Sequence, residues 1–216
     1  MYWANYSGGD FWRANLDGGG ATPLVSGLHH SLSIALDVTG GQMYWANMDS
    51  GDIWQANLDG SGATRLVSGL DGPRGIALDL AGGQMYWTEG YGGTISRANL
   101  DGTGRKVLVR GVDTPRVLAL DLAGGKMYWT NLGTDDIRRA NLDGTGQEIL
   151  VRNLPDPAGI ALDVANGRMY WTNTARSVVG MGDIRQANLD GSGQTILFTG
   201  LDRPWGIVLD QGAPVP

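Results

Sequence analysis

Apolar and polar residues alternate along this chain in short runs, and Gly, Asn, Asp or Pro interrupts the pattern roughly every 10 residues. No stretch carries the period of about 3.6 residues that marks an amphipathic helix. A representative stretch predicts four strands. Residues 75–79 (Gly-Ile-Ala-Leu-Asp) make a short apolar strand, and residues 85–88 (Met-Tyr-Trp-Thr) an aromatic and β-branched one. Residues 95–99 (Ile-Ser-Arg-Ala-Asn) and 106–109 (Lys-Val-Leu-Val) complete the set. The connections have turn chemistry: Gly82-Gly83, the Gly-rich residues 89–93, and Asp101-Gly102-Thr103-Gly104. Tyr86 and Trp87 are consecutive, so they face opposite sides of their strand, and the sheet needs cover on both faces.

That cover is supplied by repetition. Tyr-Trp recurs at Tyr2, Tyr44, Tyr86, Tyr128 and Tyr170, and Ala-Asn-Leu-Asp-Gly recurs from Ala14, Ala56, Ala98, Ala140 and Ala187. Leu-Asp closes the first strand of each unit at Asp37, Asp79, Asp121, Asp163 and Asp210. The copies keep one spacing except within residues 174–183, where the fifth copy carries an insertion. Four-stranded units repeating at about 40–45 residues are the blades of a propeller. The expected architecture is all-β, a five-bladed β-propeller of four-stranded blades in a single domain over residues 1–210, with 211–216 as a tail. The blades are expected at 1–26 plus 204–210, 31–68, 73–110, 115–152 and 157–198. The chain opens on a second strand and finishes on a first strand, so the C-terminal strand is expected to join the N-terminal blade, closing a monomeric ring without open edges.

Composition narrows the function. The 36 Gly among 216 residues follow no G-X-Y period, which excludes collagen. A 42% hydrophobic fraction excludes a disordered chain. A net charge of −6 offers no basic stripe for nucleic acid. No apolar run reaches the ~18–20 residues of a membrane-spanning helix. Without Cys there is no disulfide or thiolate metal site. The opening MYWANYSGGD has neither the basic nor the apolar region of a secretion signal.

Met-Tyr-Trp-Thr at 85–88, Ala-Asn-Leu-Asp-Gly at 98–102 and Pro-Arg-Gly-Ile-Ala-Leu-Asp at 73–79 resemble the YWTD repeats of low-density lipoprotein receptors. The resemblance runs through five consecutive copies. It implies a propeller that binds partner proteins in an extracellular or cell-surface setting. Two features depart from the family. The fourth motif letter, usually Asp, is Asn5, Asn47, Glu89, Asn131 and Asn173 here, and the receptor domains have six blades rather than five.

Residues present in every copy are first of all architecture. The Asp closing each first strand is expected to accept turn amides. The Asp-Gly-x-Gly turns lack the spaced ligands and closing Glu of a calcium loop. Trp12 and Trp54 are expected to pack, stacking across adjacent blades. Variation concentrates in two loop sets, those entering each first strand and those joining second to third strands. The first supplies His29, His30, Arg74, Arg116 and Trp205; the second supplies Glu89, Tyr91 and the inserted Arg176, Val178, Val179 and Met181. Arg, Trp and Tyr are the usual interface anchors. Trp205 reads as an anchor or as a seal for the closing strand, and the inserted apolar residues as a partner contact or as loop filling. His29-His30 reads as a solvated pair, with a pH switch or metal ligation as the alternatives. Asn5-Tyr6-Ser7 is a formal glycosylation acceptor.

These residues point to a non-catalytic module that binds a protein or peptide on its variable loop face, with no cofactor and no metal. One alternative is a propeller enzyme of lactonase or lyase type. It would need asymmetric acids at a channel mouth, and Glu89 and Glu148 are the only glutamates. The other is a purely structural or engineered ring.

Overall fold

The computed structural model describes residues 1–5, 9–28, 31–175 and 179–209. Every regular element among them is a β-strand. The strands form five antiparallel sheets, the blades of a five-bladed β-propeller fold, and the chain divides into two compact units, Met1–Pro115 and Arg116–Pro216.

In the first unit, β1 (Tyr2–Asn5), β2 (Asp10–Arg13) and β3 (Thr22–Val25) make a three-stranded sheet. The second sheet runs β4 (Ser31–Asp37), β5 (Gln42–Asn47), β6 (Asp52–Asn57) and β7 (Thr64–Val67). The third runs β8 (Pro73–Asp79), β9 (Gln84–Glu89), β10 (Thr94–Asn99) and β11 (Lys106–Arg110), and so contains the four strands expected from residues 75–109. The second unit holds β12 (Pro115–Asp121), β13 (Lys126–Asn131), β14 (Asp136–Asn141) and β15 (Glu148–Val151), then β16 (Pro157–Asp163), β17 (Arg168–Asn173), β18 (Gly182–Asn188) and β19 (Thr195–Leu201).

Local chemistry explains the turns. Asp37, Asp79 and Asp121 accept the N–H of Gly40, Gly82 and Gly124 at 2.7, 2.8 and 2.7 Å. Asp59, Asp101, Asp143 and Asp190 each accept both the N–H and the hydroxyl of Ser61, Thr103, Thr145 and Ser192. Those hydroxyl and amide bonds hold the carboxyls of Asp59, Asp101 and Asp190 below the usual carboxylate range. The glycine in these turns is required twice over. Gly102 has φ +85°, and a Cβ there would stand 2.4 Å from the Leu66 carbonyl of the preceding sheet.

The two rings of the Tyr44-Trp45 pair pack on opposite sides of the second sheet. Trp45 joins Phe11 of the first sheet, while its neighbour Tyr44 joins Ile76, Met85 and Trp87 of the third. The second unit repeats the arrangement: Tyr128, Ile137, Val151 and Leu154 meet Ile160, Met169 and Trp171. Within each unit, the seam between the second and third sheets and that between the fourth and fifth are therefore built from the Tyr side of one blade and the Met and Trp side of the next.

Two expectations change. Trp12 and Trp54 do not stack across blades. Each lies opposite the motif Trp on the adjacent strand of its own sheet, Trp12 on Trp3 and Trp54 on Trp45, with centroids 6.2 Å apart in both pairs. Residues 202–209 form no strand, and the first sheet has three strands among the described residues; Asp210 lies outside them. The segment is held instead by the fifth sheet, where Thr172 Oγ1 donates to the Trp205 carbonyl at 2.8 Å.

Candidate functional site

The second strands end in polar networks that differ from blade to blade. In β13 and β17, Asn131 and Asn173 donate through Nδ2 to Asp136 and Asp183, which stand opposite them on the partner strands. Those carboxylates also hold Arg138 and Arg185, with N···O distances of 2.9 and 2.7 Å. The third blade moves the acid across the ladder. Thr94 stands where the other blades have Asp, and Glu89 stands where they have Asn. Glu89 is 3% exposed and accepts from the Asp71 N–H, Trp87 Nε1, Ser96 Oγ and Arg105 at 3.0, 3.2, 3.1 and 3.0 Å. It was expected on the loop surface. Its side chain instead lies along the strand under its own loop, where four donors enclose it.

Arg116 is likewise buried, at 1% exposure, where the sequence placed it on an accessible loop. Its Nη1 donates to the Pro157 carbonyl at 3.1 Å, and its guanidinium carbon lies 4.6 Å from the centroid of the Trp205 ring. The structure therefore brings together two candidates far apart in the chain, with the half-buried Trp205 as the outer partner.

The first unit holds a second Arg–aromatic pair. Arg74 lies 5.3 Å from the centroid of Tyr91, which is 62% exposed. The backbone makes room for it. Gly72 has φ +65°, and a Cβ there would stand 2.4 Å from the Tyr91 ring; one on Gly90 would stand 2.3 Å from Arg74 Nε. The Gly90 N–H donates to the Gly72 carbonyl at 2.8 Å, and Tyr91 Oη reaches Met48 Sδ at 3.9 Å. These contacts settle the orientation of an exposed ring beside a cation.

Between β13 and β14, Asp135 occupies the left-handed region (φ 51°) where the matching loops have Gly9, Gly51 and Gly93. Burial, followed by the neighbouring Asp156 charge, pushes its carboxyl above the usual range. A folded pKa above the unfolded one means that this group favours the fold at low pH and that the benefit is lost as pH rises through the folded value. Asn tolerates the same backbone region. Asp135→Asn is therefore expected to raise stability near about pH 7, with the gain fading by about pH 3, where both states hold the proton. Urea midpoints at the two pH values check this, and an equal midpoint at pH 7 would refute it.

Of the inserted residues, Val179 and Met181 are 69% and 63% exposed. His29, His30, Arg176 and Val178 lie outside the described residues, as do Tyr6 and Ser7 of the glycosylation acceptor. Among the described residues no group of three or more His, Asp or Glu could hold a metal ion. No described helix is long and apolar enough to cross a membrane.

Residues 83–122 and 125–164 match the family model described as low-density lipoprotein receptor repeat class B. Two stretches of the chain match that repeat. The matched stretches extend from the second strand of one blade, β9 or β13, to the first strand of the next, β12 or β16. The first stretch contains Glu89 and the second Asn131 at the fourth motif letter, so both match the class B model without Asp there. No curated protein sequence matches the chain. Among solved structures, a nidogen/laminin complex aligns with TM-score 0.83 and 27% identity, over 94% of this chain and 80% of that one. A virginiamycin B lyase from Staphylococcus aureus aligns with TM-score 0.77 and 17% identity, over 98% and 71%. A streptogramin B lyase aligns with TM-score 0.77 and 15% identity, over 98% and 70%. The likeness to the two lyases shows the fold alone.

Proposed function

We propose that this chain is a non-catalytic module that binds a protein or peptide through the loops entering its first strands and joining its second to third strands. The observation that carries the reading is the exposed Tyr91, fixed beside Arg74 by two glycines that leave it room. A rigid aromatic next to a cation suits a segment carrying a carboxylate and an aliphatic side chain, and such anchors dominate interface energies. The similarity to a nidogen/laminin complex supports a protein partner. Trp205, stacked on the buried Arg116, offers a second anchor of the same kind. Val179 and Met181 add exposed apolar area on the inserted loop.

Glu89 weighs against the enzyme alternative. Its carboxylate serves four donors of its own blade, which suits an anchor for the loop better than an acid or base open to substrate.

A displayed library of acidic and aliphatic peptides, panned against the immobilised chain, tests the proposal. Selected peptides should bind Tyr91→Ala about tenfold or more weakly than the parent, since truncating an anchor costs over about 1–2 kcal/mol. Gly72→Ala should weaken them comparably by displacing the ring. The thermal midpoint of Tyr91→Ala should hold. Undiminished binding by both variants would place the contact elsewhere.

A further inference from the structure

The described turns that join a first strand to a second share one plan, and the fifth blade departs from it. Asp37, Asp79 and Asp121 each accept the N–H of a glycine three residues on, at 2.7, 2.8 and 2.7 Å. A Cβ on Gly40, Gly82 or Gly124 would stand 2.2, 2.3 or 2.3 Å from that carboxylate, so a side chain there must displace it. The turn between β16 and β17 has Asn166 at this position. Its N–H reaches Asp163 Oδ1 at 3.1 Å, longer than in the glycine turns. The side-chain amide compensates, because Asn166 Nδ2 donates to Asp163 Oδ2 at 2.7 Å.

The same turn exposes that amide to attack. Asn166 is exposed and precedes Gly167, which has φ +66° and no side chain to shield its backbone nitrogen. The Gly167 N–H donates to the Val164 carbonyl at 3.2 Å, the long end of the usual range, so little holds the nitrogen in place. The other ten Asn are followed by Leu, Met, Thr or Tyr, whose side chains crowd the same approach. Asn166-Gly167 is the single Asn-Gly step in the chain.

We propose that Asn166 is a site of spontaneous deamidation, a covalent modification that loosens the β16–β17 hairpin. The Gly167 nitrogen attacks Asn166 Cγ and gives up its proton. The new C–N bond closes a succinimide, the Cγ–Nδ2 bond breaks, and Nδ2 leaves as ammonia. Water then opens the ring at either carbonyl, leaving Asp or isoaspartate at 166. The sum is amide plus water to acid plus ammonia, and nothing is oxidised or reduced. Both products undo the compensation. The Asp product sets a carboxylate beside Asp163 where a donor stood, and like charges repel. The isoaspartate product adds a methylene to the backbone of a hairpin whose register pairs Asp163 with Arg168. The site is independent of the Tyr91 loops.

Incubation of the folded chain at mildly alkaline pH, which speeds proton loss from the attacking nitrogen, tests the proposal. Peptide mapping by mass spectrometry locates the modified residue, and an isoaspartate-specific methyltransferase assay identifies the product. Ammonia loss should accumulate at Asn166 and not at Asn15, Asn57, Asn99 or Asn153, which are also exposed but precede Leu. Asn166→Gly, the residue of the other three turns, should abolish the isoaspartate signal. Asn166→Asp, which reproduces one product outright, should lower the urea midpoint below that of the parent. An Asn166 that stays intact in the folded chain while a guanidinium-unfolded sample deamidates there would overturn the site. Loss spread evenly over the exposed Asn would do the same. An Asn166→Asp midpoint equal to the parent's would overturn the loosening of the hairpin.

Discussion

Trp171→Ala is expected to lower the unfolding free energy by about 3–5 kcal/mol. Trp171 is fully buried in the seam with Tyr128, Ile137, Val151, Leu154 and Ile160. Its indole N–H has no hydrogen-bond partner, so the loss is one of packing, made up of transferred apolar area and the cavity left behind. Trp3 provides the internal comparison. It has the same motif position and a stacked partner in Trp12, yet is 37% exposed, and Trp3→Ala should cost well under half as much in dilute solution. Chemical denaturation of both variants measures the difference. Equal losses would show that the motif Trp acts through its own sheet rather than through the seam.

Glu89→Ala is expected to cost a similar amount, about 3–5 kcal/mol, for a different reason. The substitution removes one carboxylate but leaves Trp87 Nε1, Ser96 Oγ, the Asp71 N–H and Arg105 without their acceptor. Unmade hydrogen bonds at buried donors cost more than made ones contribute. The neighbouring blades suggest the compensation. Glu89→Asn combined with Thr94→Asp recreates the Asn131–Asp136 arrangement, and the double variant should be more stable than the sum of its single changes implies. A double-mutant cycle by urea unfolding reads this directly. Strict additivity would mean that the two positions do not form one network.

Much of the fold was legible in the chain because its signals are local. Short apolar, aromatic and β-branched runs at 75–79, 85–88, 95–99 and 106–109 located β8 to β11, and turn residues marked the connections between them. The Asp that closes each first strand was read as a turn acceptor, and Asp37, Asp79 and Asp121 accept turn amides. The candidate site was legible only in part. Arg74 and Tyr91, and likewise Arg116 and Trp205, were singled out separately, but nothing in their spacing says that the members of each pair stack. Glu89 and Arg116 sit in loop-adjacent positions that read as surface. Burial of such groups depends on donors and acceptors supplied by other strands, Ser96 and Arg105 for one and Pro157 for the other.

The amino-acid sequence by itself determined the repeat, the strand pattern within each unit and the five-bladed class, because hydrophobic period and turn chemistry act over a few residues and recur in each copy. The tertiary structure decided which identical motifs are buried. Trp171 and Trp3 both follow Met-Tyr, but of the two only Trp171 has the Tyr face of a preceding sheet shown against it. Cover of that kind comes from residues about one repeat away, and the end blades, which carry the same letters, do not receive it from within their own unit.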